Sequence, residues 1–229
     1  MRLSAVIFDL DDTLFPERSF VRSGMRSVAG WLSDRFGFET DRVLTEFDRL
    51  EVEQQGRLFD AWIELHDVAI QAGELVSVYR SHAPTIQPFP DAKDVLETLK
   101  SQGYRLGLVS DGYLETQQNK FDALGLHDYF ERNAVVFSDQ FGREHWKPSS
   151  KPFEVSLNAL GVEGSEAVYV GDNPTKDFKG ARSVGMKSIR VTTIGGVYAK
   201  SRPLGSEYEP DIDVNQLYEI LDAIKLLER

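Results

Sequence analysis

The most informative segment of this chain is LSAVIFDLDDTL, residues 3–14, because it joins an apolar strand pattern to a cluster of carboxylates. Residues 3–8 form a nearly continuous apolar run, which is typical of a strand buried on both faces of a parallel sheet. Asp9, Asp11 and Asp12 follow at once. Ligands of open α/β sheets bind beyond the carboxyl ends of the strands, so this sequence predicts a binding site there.

Four later segments resemble the first strand and alternate with helical patterns. They span residues 104–109, 134–137, 167–170 and 188–192. Apolar residues at helical spacing lie between them, as at Leu114, Phe121 and Leu124. Such alternation predicts βαβ units with right-handed crossovers. We therefore expect an α/β fold with a Rossmann-like parallel sheet core, ending in a helix over residues 216–227 capped by Asn215.

The segment from residue 15 to residue 88 interrupts this alternation. It contains no convincing strand, and apolar residues such as Val28, Trp31 and Leu32 recur at helical spacing. Two prolines within residues 87–91 mark its end, because neither is tolerated inside a helix. The sequence thus predicts an α/β core domain of residues 1–14 and 89–229, and an inserted helical domain of residues 15–88.

Composition excludes several classes of site. The 229 residues include no cysteine, which rules out disulfides, thiolate metal sites and cysteine nucleophiles. The net charge is 26 − 37 = −11 with no basic cluster, so no nucleic-acid partner is expected. No apolar stretch has spanning length, so we expect no membrane association. The absence of cysteine fits the expected cytoplasmic location. Monomer and homodimer both remain open.

The second predicted strand ends in Ser110-Asp111-Gly112. A hydroxyl followed by glycine at the start of a helix is suited to hold an anion, because free backbone N–H groups point outward there. Ser110 could equally be an ordinary helix N-cap. The segment predicts an anion site only in combination with other signals.

The fourth predicted strand ends in Gly171-Asp172-Asn173, and Asp177 follows five residues after Asp172. Its carboxylates would face the same crevice as Asp9. Mg²⁺ prefers carboxylate and carbonyl oxygens, so Asp9, Asp172 and a backbone carbonyl near Asp11 could bind it. Alternatively, Asp172 could merely cap the next helix.

Two Lys-Pro dipeptides precede the helix that leads to the fourth strand. Lys147-Pro148 and Lys151-Pro152 would each place an ammonium group near a phosphate or a carboxylate. The residues alone leave the choice between the two lysines open, and either could be an ordinary surface lysine.

Taken in order, these segments resemble the motifs of the haloacid dehalogenase-like hydrolases. The resemblance rests on Val6-Ile7-Phe8-Asp9-Leu10-Asp11-Asp12-Thr13, on Leu108-Val109-Ser110, on Lys147 six residues before Phe153, and on Gly171-Asp172 with Asp177. That spacing selects Lys147 over Lys151. The resemblance covers both ends of the chain and implies that the helical insertion is a cap domain.

The resemblance implies a magnesium-dependent phosphatase that cleaves a small phosphate monoester, such as a sugar phosphate or a nucleoside monophosphate. Asp9 would attack phosphorus to form an aspartyl phosphate, and Asp11 would be the general acid and base. Thr13, Ser110, Asp111 and Lys147 would bind the phosphoryl group. Asp9, Asp11 and Asp172 would ligate Mg²⁺, and Asp177 would orient Lys147 or a metal-bound water. Asp12 is expected to be structural.

Three alternatives share parts of this site. A sugar-phosphate mutase of the phosphoglucomutase type would use the same Asp9 and Asp11. A 2-haloacid dehalogenase would need no acid at position 11. A phosphorylation-controlled binding module would form a long-lived phosphoenzyme. Substrate specificity is expected to lie in the cap, where possible contacts are Arg18, Arg22, Arg57, Trp62, His66 and Arg80, although a solvated or core role suits each of them as well.

Overall fold

A parallel six-stranded sheet forms the centre of the fold. The computed structural model describes residues 2–192 and 195–229. The strands are β1 (Ala5–Phe8), β2 (Arg105–Ser110), β3 (Val135–Phe137), β4 (Ala167–Gly171), β5 (Lys187–Val191) and β6 (Ile212–Val214). They lie in the order β3-β2-β1-β4-β5-β6, and every neighbouring pair is parallel. The predicted Rossmann-like α/β class is confirmed.

Helices accompany these strands. They are α1 (Glu17–Phe36), α2 (Thr40–Glu53), α3 (Leu58–His66), α4 (Ala72–Ser81), α5 (Ala92–Ser101), α6 (Leu114–Leu124), α7 (Lys151–Leu160), α8 (Asp177–Ser183) and α9 (Ile220–Leu227). None of the helices in the described part of the chain combines the length and the apolar character that a membrane crossing requires.

The register of the sheet brings three strand ends together. All four residues of β1 are fully buried, as expected for a central parallel strand. Its last residue, Phe8, pairs with Leu108 of β2 on one side and with Val170 of β4 on the other. The residues that follow β1, β2 and β4 therefore share one edge of the sheet.

All five predicted strands are present, with ends shifted by a residue or two. The sixth strand, β6, was not predicted, because three residues with an exposed aspartate in the middle give no readable periodicity. The prediction of Asn215 as N-cap was wrong. Gln216 holds that position, and the chain first makes a 3-10 turn, Leu217–Glu219, before α9. The Glu219 carboxylate accepts hydrogen bonds from the backbone N–H groups of Asn215 and Gln216.

The chain divides into two compact units. The first comprises Met1–Glu17 and Gln87–Arg229, and the second comprises Arg18–Ile86. The second unit has its own core, in which Trp62 is fully buried among Val28, Leu32 and Phe47. Its described elements are all helical. The assignment of this unit as a cap, with boundaries at residues 15 and 88, stays a prediction.

Candidate active site

The segment after β1 holds its carboxylates in fixed positions. The Asp9 backbone N–H donates to the Val170 carbonyl over 2.8 Å, which continues the β1–β4 pairing, and the Asp9 side chain is buried. Asp12 adopts a left-handed φ of 51°, a conformation that, after glycine, Asp and Asn tolerate better than other residues. Its carboxylate accepts hydrogen bonds from the N–H groups of Glu17 and Val197, so Asp12 secures the loop, as expected.

Lys147 lies beside Asp9 in the buried centre of the site. Its Nζ is 2.8 Å from Asp9 Oδ1 and 2.8 Å from Asp177 Oδ1, and it donates to the Tyr169 hydroxyl over 2.9 Å. The side chains of Lys147 and Asp177 are fully buried. Lys151, the alternative lysine, is exposed at the start of α7. The structure therefore brings Lys147 to the predicted nucleophile.

Asp111 anchors the segment that carries Lys147. One oxygen of its carboxylate accepts from the Lys147 backbone N–H over 3.1 Å, and the other is 3.2 Å from the Lys176 ammonium. Both carboxylate oxygens are thus engaged by protein donors. A phosphoryl contact from Asp111 would come from its backbone N–H, which follows the end of β2.

Two hydroxyl groups line the same edge of the sheet. Ser110 is fully buried, and its Oγ accepts a hydrogen bond of 2.6 Å from Gln117 Nε2. The Thr13 hydroxyl is also buried, but it has no hydrogen-bond partner among residues 2–192 and 195–229. A buried hydroxyl without a partner is costly, so Thr13 Oγ1 is suited to a ligand that supplies the missing acceptor.

The Asp11 carboxylate is held by two side chains of α6. Gln117 Nε2 donates to Asp11 Oδ2 over 2.9 Å, and Lys120 Nζ lies 2.7 Å from Asp11 Oδ1. Gln117 and Lys120 are both buried. Neither residue was predicted from the sequence. The available signal was a pair of long polar residues among Leu114, Phe121 and Leu124, on the apolar face of the helix.

Three buried carboxylates form a site that suits a divalent cation. One oxygen each from Asp9, Asp172 and Asp177 lie within 4.8 Å of one another. Burial, together with the charges of Asp177 and Asp9, raises the pKa of Asp172 to about 9. Carboxylates crowded together without water need a cation, and hard oxygen donors match Mg²⁺. The residues present therefore fit the predicted metal.

The positive charge of Lys147 offsets the negative charge of the neighbouring buried carboxylates. Burial raises the pKa of Asp9 to about 6, although the ammonium of Lys147 opposes this shift. The carboxylates of Asp177 and Asp9 outweigh burial at Lys147 and raise its pKa well above the usual value. Lys147 is therefore a permanent cation beside the buried Asp9 carboxylate.

The expected cap residues all lie in the second unit, where Arg57, Trp62 and His66 make polar contacts. Arg57 pairs with Glu64 over 2.8 Å. Trp62 Nε1 donates to Glu46, and His66 Nε2 is 2.7 Å from the same carboxylate. These contacts favour structural roles for Arg57, Trp62 and His66 within their own unit.

A family model, curated proteins and solved structures were each compared with this chain, and the matches agree on one family of hydrolases. The family model of the haloacid dehalogenase-like hydrolases matches residues 6–191. Glyceraldehyde 3-phosphate phosphatase from Methanopyrus kandleri is 31% identical, covering 99% of both chains. Ribulose-1,5-bisphosphate 5-phosphatase from Halopiger xanaduensis is 30% identical, covering 96% of this chain and 99% of that protein. A crystal structure of a HAD phosphatase from Thermococcus onnurineus is 28% identical with a TM-score of 0.62, covering 97% of this chain and 98% of that one.

Proposed function

The chain belongs to the haloacid dehalogenase-like hydrolases and is a phosphatase of small phosphorylated metabolites, and we propose that Asp9 is its nucleophile. The observation that carries this proposal is the buried Asp9 carboxylate at the end of β1, 2.8 Å from Lys147 Nζ. Although the pKa of Asp9 is raised to about 6, it is still below 7, so the carboxylate is mostly ionised at neutral pH.

The proposed reaction has two steps. An Asp9 oxygen attacks phosphorus, the bond from phosphorus to the ester oxygen breaks, and the leaving alcohol takes a proton from Asp11. A water molecule then attacks the phosphorus of the aspartyl phosphate and gives its proton to Asp11. The products are an alcohol and inorganic phosphate, and Asp9 is regenerated.

Four groups around Asp9 would bind the phosphoryl oxygens. The hydroxyls of Thr13 and Ser110 and the backbone N–H of Asp111 supply hydrogen bonds, and Lys147 supplies a fixed positive charge. Donors that are already oriented in a buried site stabilise developing charge without reorganising. The unpartnered Thr13 hydroxyl supports this assignment, because a phosphoryl oxygen would complete its hydrogen bonding.

Mg²⁺ is the proposed cofactor. Asp9, the backbone carbonyl of Asp11 and Asp172 would hold it, and bound Mg²⁺ would neutralise the charge of the carboxylates and of the phosphate. Asp177 is assigned a positioning role. One of its oxygens pairs with Lys147 and the other accepts from the Asn173 N–H over 2.8 Å, so both are engaged.

Phosphorylated sugars are the proposed substrate class. The two curated relatives above are named for a triose phosphate and for a pentulose bisphosphate. The net charge of −11 repels anionic substrates at long range, so binding must rest on the local cations and hydrogen-bond donors of the site.

A panel of phosphate esters tests the proposal. Phosphate release should be measured for triose, tetrose, pentose and hexose phosphates and for nucleoside monophosphates, with Mg²⁺ and with EDTA. We expect release that requires Mg²⁺ and that Asp9→Asn abolishes. Release that persists at the wild-type rate in Asp9→Asn would contradict the assignment, and transfer of phosphate between two positions of a sugar would point to a mutase.

A further inference from the structure

Gln117 and Lys120 of α6 contact Asp11, which is the proposed general acid and base. Their side chains project three positions apart from the same face of the helix, and both are buried. Together they occupy both oxygens of the Asp11 carboxylate. Neither residue belongs to the motifs on which the family resemblance rests.

Gln117 also contacts the proposed phosphate-binding hydroxyl. Its Nε2 lies 2.9 Å from Asp11 Oδ2 and 2.6 Å from Ser110 Oγ. A carboxylate only accepts hydrogen bonds, so the atom that faces Asp11 must be the NH₂ group of the amide. That group has two protons, so it can donate one hydrogen bond to Asp11 and one to Ser110.

The hydrogen bond to Ser110 has a consequence for its hydroxyl. A serine hydroxyl has one proton to donate and two lone pairs that accept. Because Gln117 donates to Ser110 Oγ, the Ser110 proton remains available for another acceptor. A phosphoryl oxygen bound next to Asp9 is an acceptor of the required kind.

Lys120 supplies the second fixed contact of Asp11. Its ammonium is 2.7 Å from Asp11 Oδ1 and lies 5.9 Å from the centre of the Phe15 ring. The lysine side chain is 5% exposed, whereas that of Asp11 is 19% exposed, so the carboxylate is the more accessible partner. A carboxylate held at both oxygens from the protein side can present its remaining lone pairs in one orientation only.

We propose that Gln117 and Lys120 are positioning residues that orient the Asp11 carboxylate toward the leaving group, and that Gln117 links this orientation to phosphate binding by Ser110. The inference rests on the proposed function, since it concerns the acid and base of that reaction. Proton transfer by a positioned group contributes about 10²- to 10⁴-fold to a rate, and a misplaced group loses much of this.

The leaving group provides a readout that a merely structural defect would not move. An alkyl alcohol departs poorly without a proton, whereas p-nitrophenolate departs readily without one. The ratio of kcat/KM for an alkyl phosphate to kcat/KM for p-nitrophenyl phosphate therefore reports the acid function of Asp11. The alkyl phosphate is the best sugar phosphate of the panel described above.

Gln117→Met and Lys120→Met remove the polar contacts and keep the side-chain length. We expect each to lower this ratio about 10-fold or more, part of the range available to general acid catalysis. Gln118→Met, an exposed position of the same helix, should leave the ratio unchanged. Activity toward p-nitrophenyl phosphate shows in each preparation that the variant is folded.

A double-mutant cycle with Asp11→Ala completes the test. If Gln117 and Lys120 act through Asp11, neither substitution will lower the ratio further once the carboxylate is gone. An unchanged ratio in both single variants, or a further loss in the Asp11→Ala background, would overturn the inference. Wild-type protein that releases phosphate from no ester would instead refute the proposed function, and the two failures are thus distinguishable.

Discussion

Lys147 forms ion pairs with two carboxylates of the site. Its ammonium bridges Asp9 and Asp177, and its side chain is fully buried. Two buried carboxylates therefore share this cation. The spacing to Phe153 selected this lysine from two Lys-Pro dipeptides, and the family resemblance implied Asp177 as a partner. The sequence gives no sign of Tyr169, because that contact arises only when β4 packs beside Lys147.

We expect Lys147→Met to lower both stability and activity. Removing one member of a buried ion pair costs about 3–5 kcal/mol, and losing one preorganised donor costs about 10²- to 10³-fold in kcat. The free energy of unfolding is measured by urea titration. The matched control is Lys151→Met, because Lys151 precedes a proline too but is exposed. Equal urea midpoints for the two variants would refute the structural part of this expectation.

Unlike Lys147→Met, Thr13→Val should lower activity while leaving stability nearly unchanged. Thr13→Val removes a buried hydroxyl that has no partner among the described residues, so the free energy of unfolding should fall by less than about 1 kcal/mol. A lost hydrogen bond to a charged phosphoryl group costs about 1.5–3 kcal/mol. We therefore expect kcat/KM to fall about 10-fold or more, as measured by phosphate release.

Ser156→Ala is the matched control for Thr13→Val. The Ser156 hydroxyl is also buried, but it donates to the Ala134 carbonyl over 2.9 Å, away from the residues assigned to catalysis. Its removal should cost about 1–3 kcal/mol of stability and leave kcat/KM unchanged. If Thr13→Val were destabilised to the same extent as Ser156→Ala with full activity, Thr13 would have no role in binding phosphate.

At the scale of the element, α8 positions the segment that follows Lys147. Gly180 of α8 lies against this segment, where an added Cβ would be 2.8 Å from the carbonyl oxygens of Pro148 and Ser149 and 2.6 Å from the Phe153 ring. Backbone atoms cannot yield as a flexible side chain can. The close approach of α8 therefore requires glycine at this position.

Gly180→Ala is expected to destabilise the protein by about 1–3 kcal/mol, the usual cost of overpacking, and to lower activity by displacing the backbone beside Lys147. Gly30→Ala in α1 provides the contrast, because nothing lies within 4 Å of its added Cβ. Alanine is favoured over glycine inside a helix, so Gly30→Ala should stabilise by about 0.5–1 kcal/mol. Thermal unfolding of both variants measures the difference, and equal effects would contradict this account of α8.

The elements also show which features of the fold could be predicted from the sequence. The long apolar strands and the helices between them were predictable, because their periodicity extends over several residues. Strand β6 was not, since its pairing with β5 comes from tertiary packing rather than from its own three residues. Gln117 and Lys120 were missed because α6 reads as an amphipathic helix, and its pattern does not show that three polar residues, Thr116 among them, lie on its buried face.

At the scale of the whole molecule, an acidic chain concentrates carboxylates around one buried site. Burial and neighbouring charges raise the pKa of Asp172 to about 9, and burial raises that of Asp9 to about 6. Between their ordinary value of 3.8 and these values, the folded protein holds protons that the unfolded chain has released. The stability of the metal-free protein should therefore fall as pH rises from about 4 to about 9.

Mg²⁺ should reverse this loss, and should raise the melting temperature more at pH 9 than at pH 6. An ion at 100 times its dissociation constant stabilises by about 2.7 kcal/mol. For a chain of this size that is roughly 5–10 °C. Differential scanning calorimetry with EDTA as baseline measures the shift. Asp172→Ala should abolish it, while Asp94→Ala, an exposed position on α5, should not. A shift that persists in Asp172→Ala would place the metal elsewhere.

Trapping the phosphoryl group on the protein would establish whether Asp9 is the nucleophile. Turnover of the best ester in the panel is quenched with acid after milliseconds, and the digested protein is mapped by mass spectrometry. We expect a hydroxylamine-sensitive phosphoryl group on the peptide that contains Asp9. With p-nitrophenyl phosphate, whose leaving group needs no acid, Asp11→Ala should increase its amount by slowing hydrolysis. A phosphoryl group on any other residue, or turnover with the Asp9 peptide unmodified in both proteins, would contradict the assignment of Asp9.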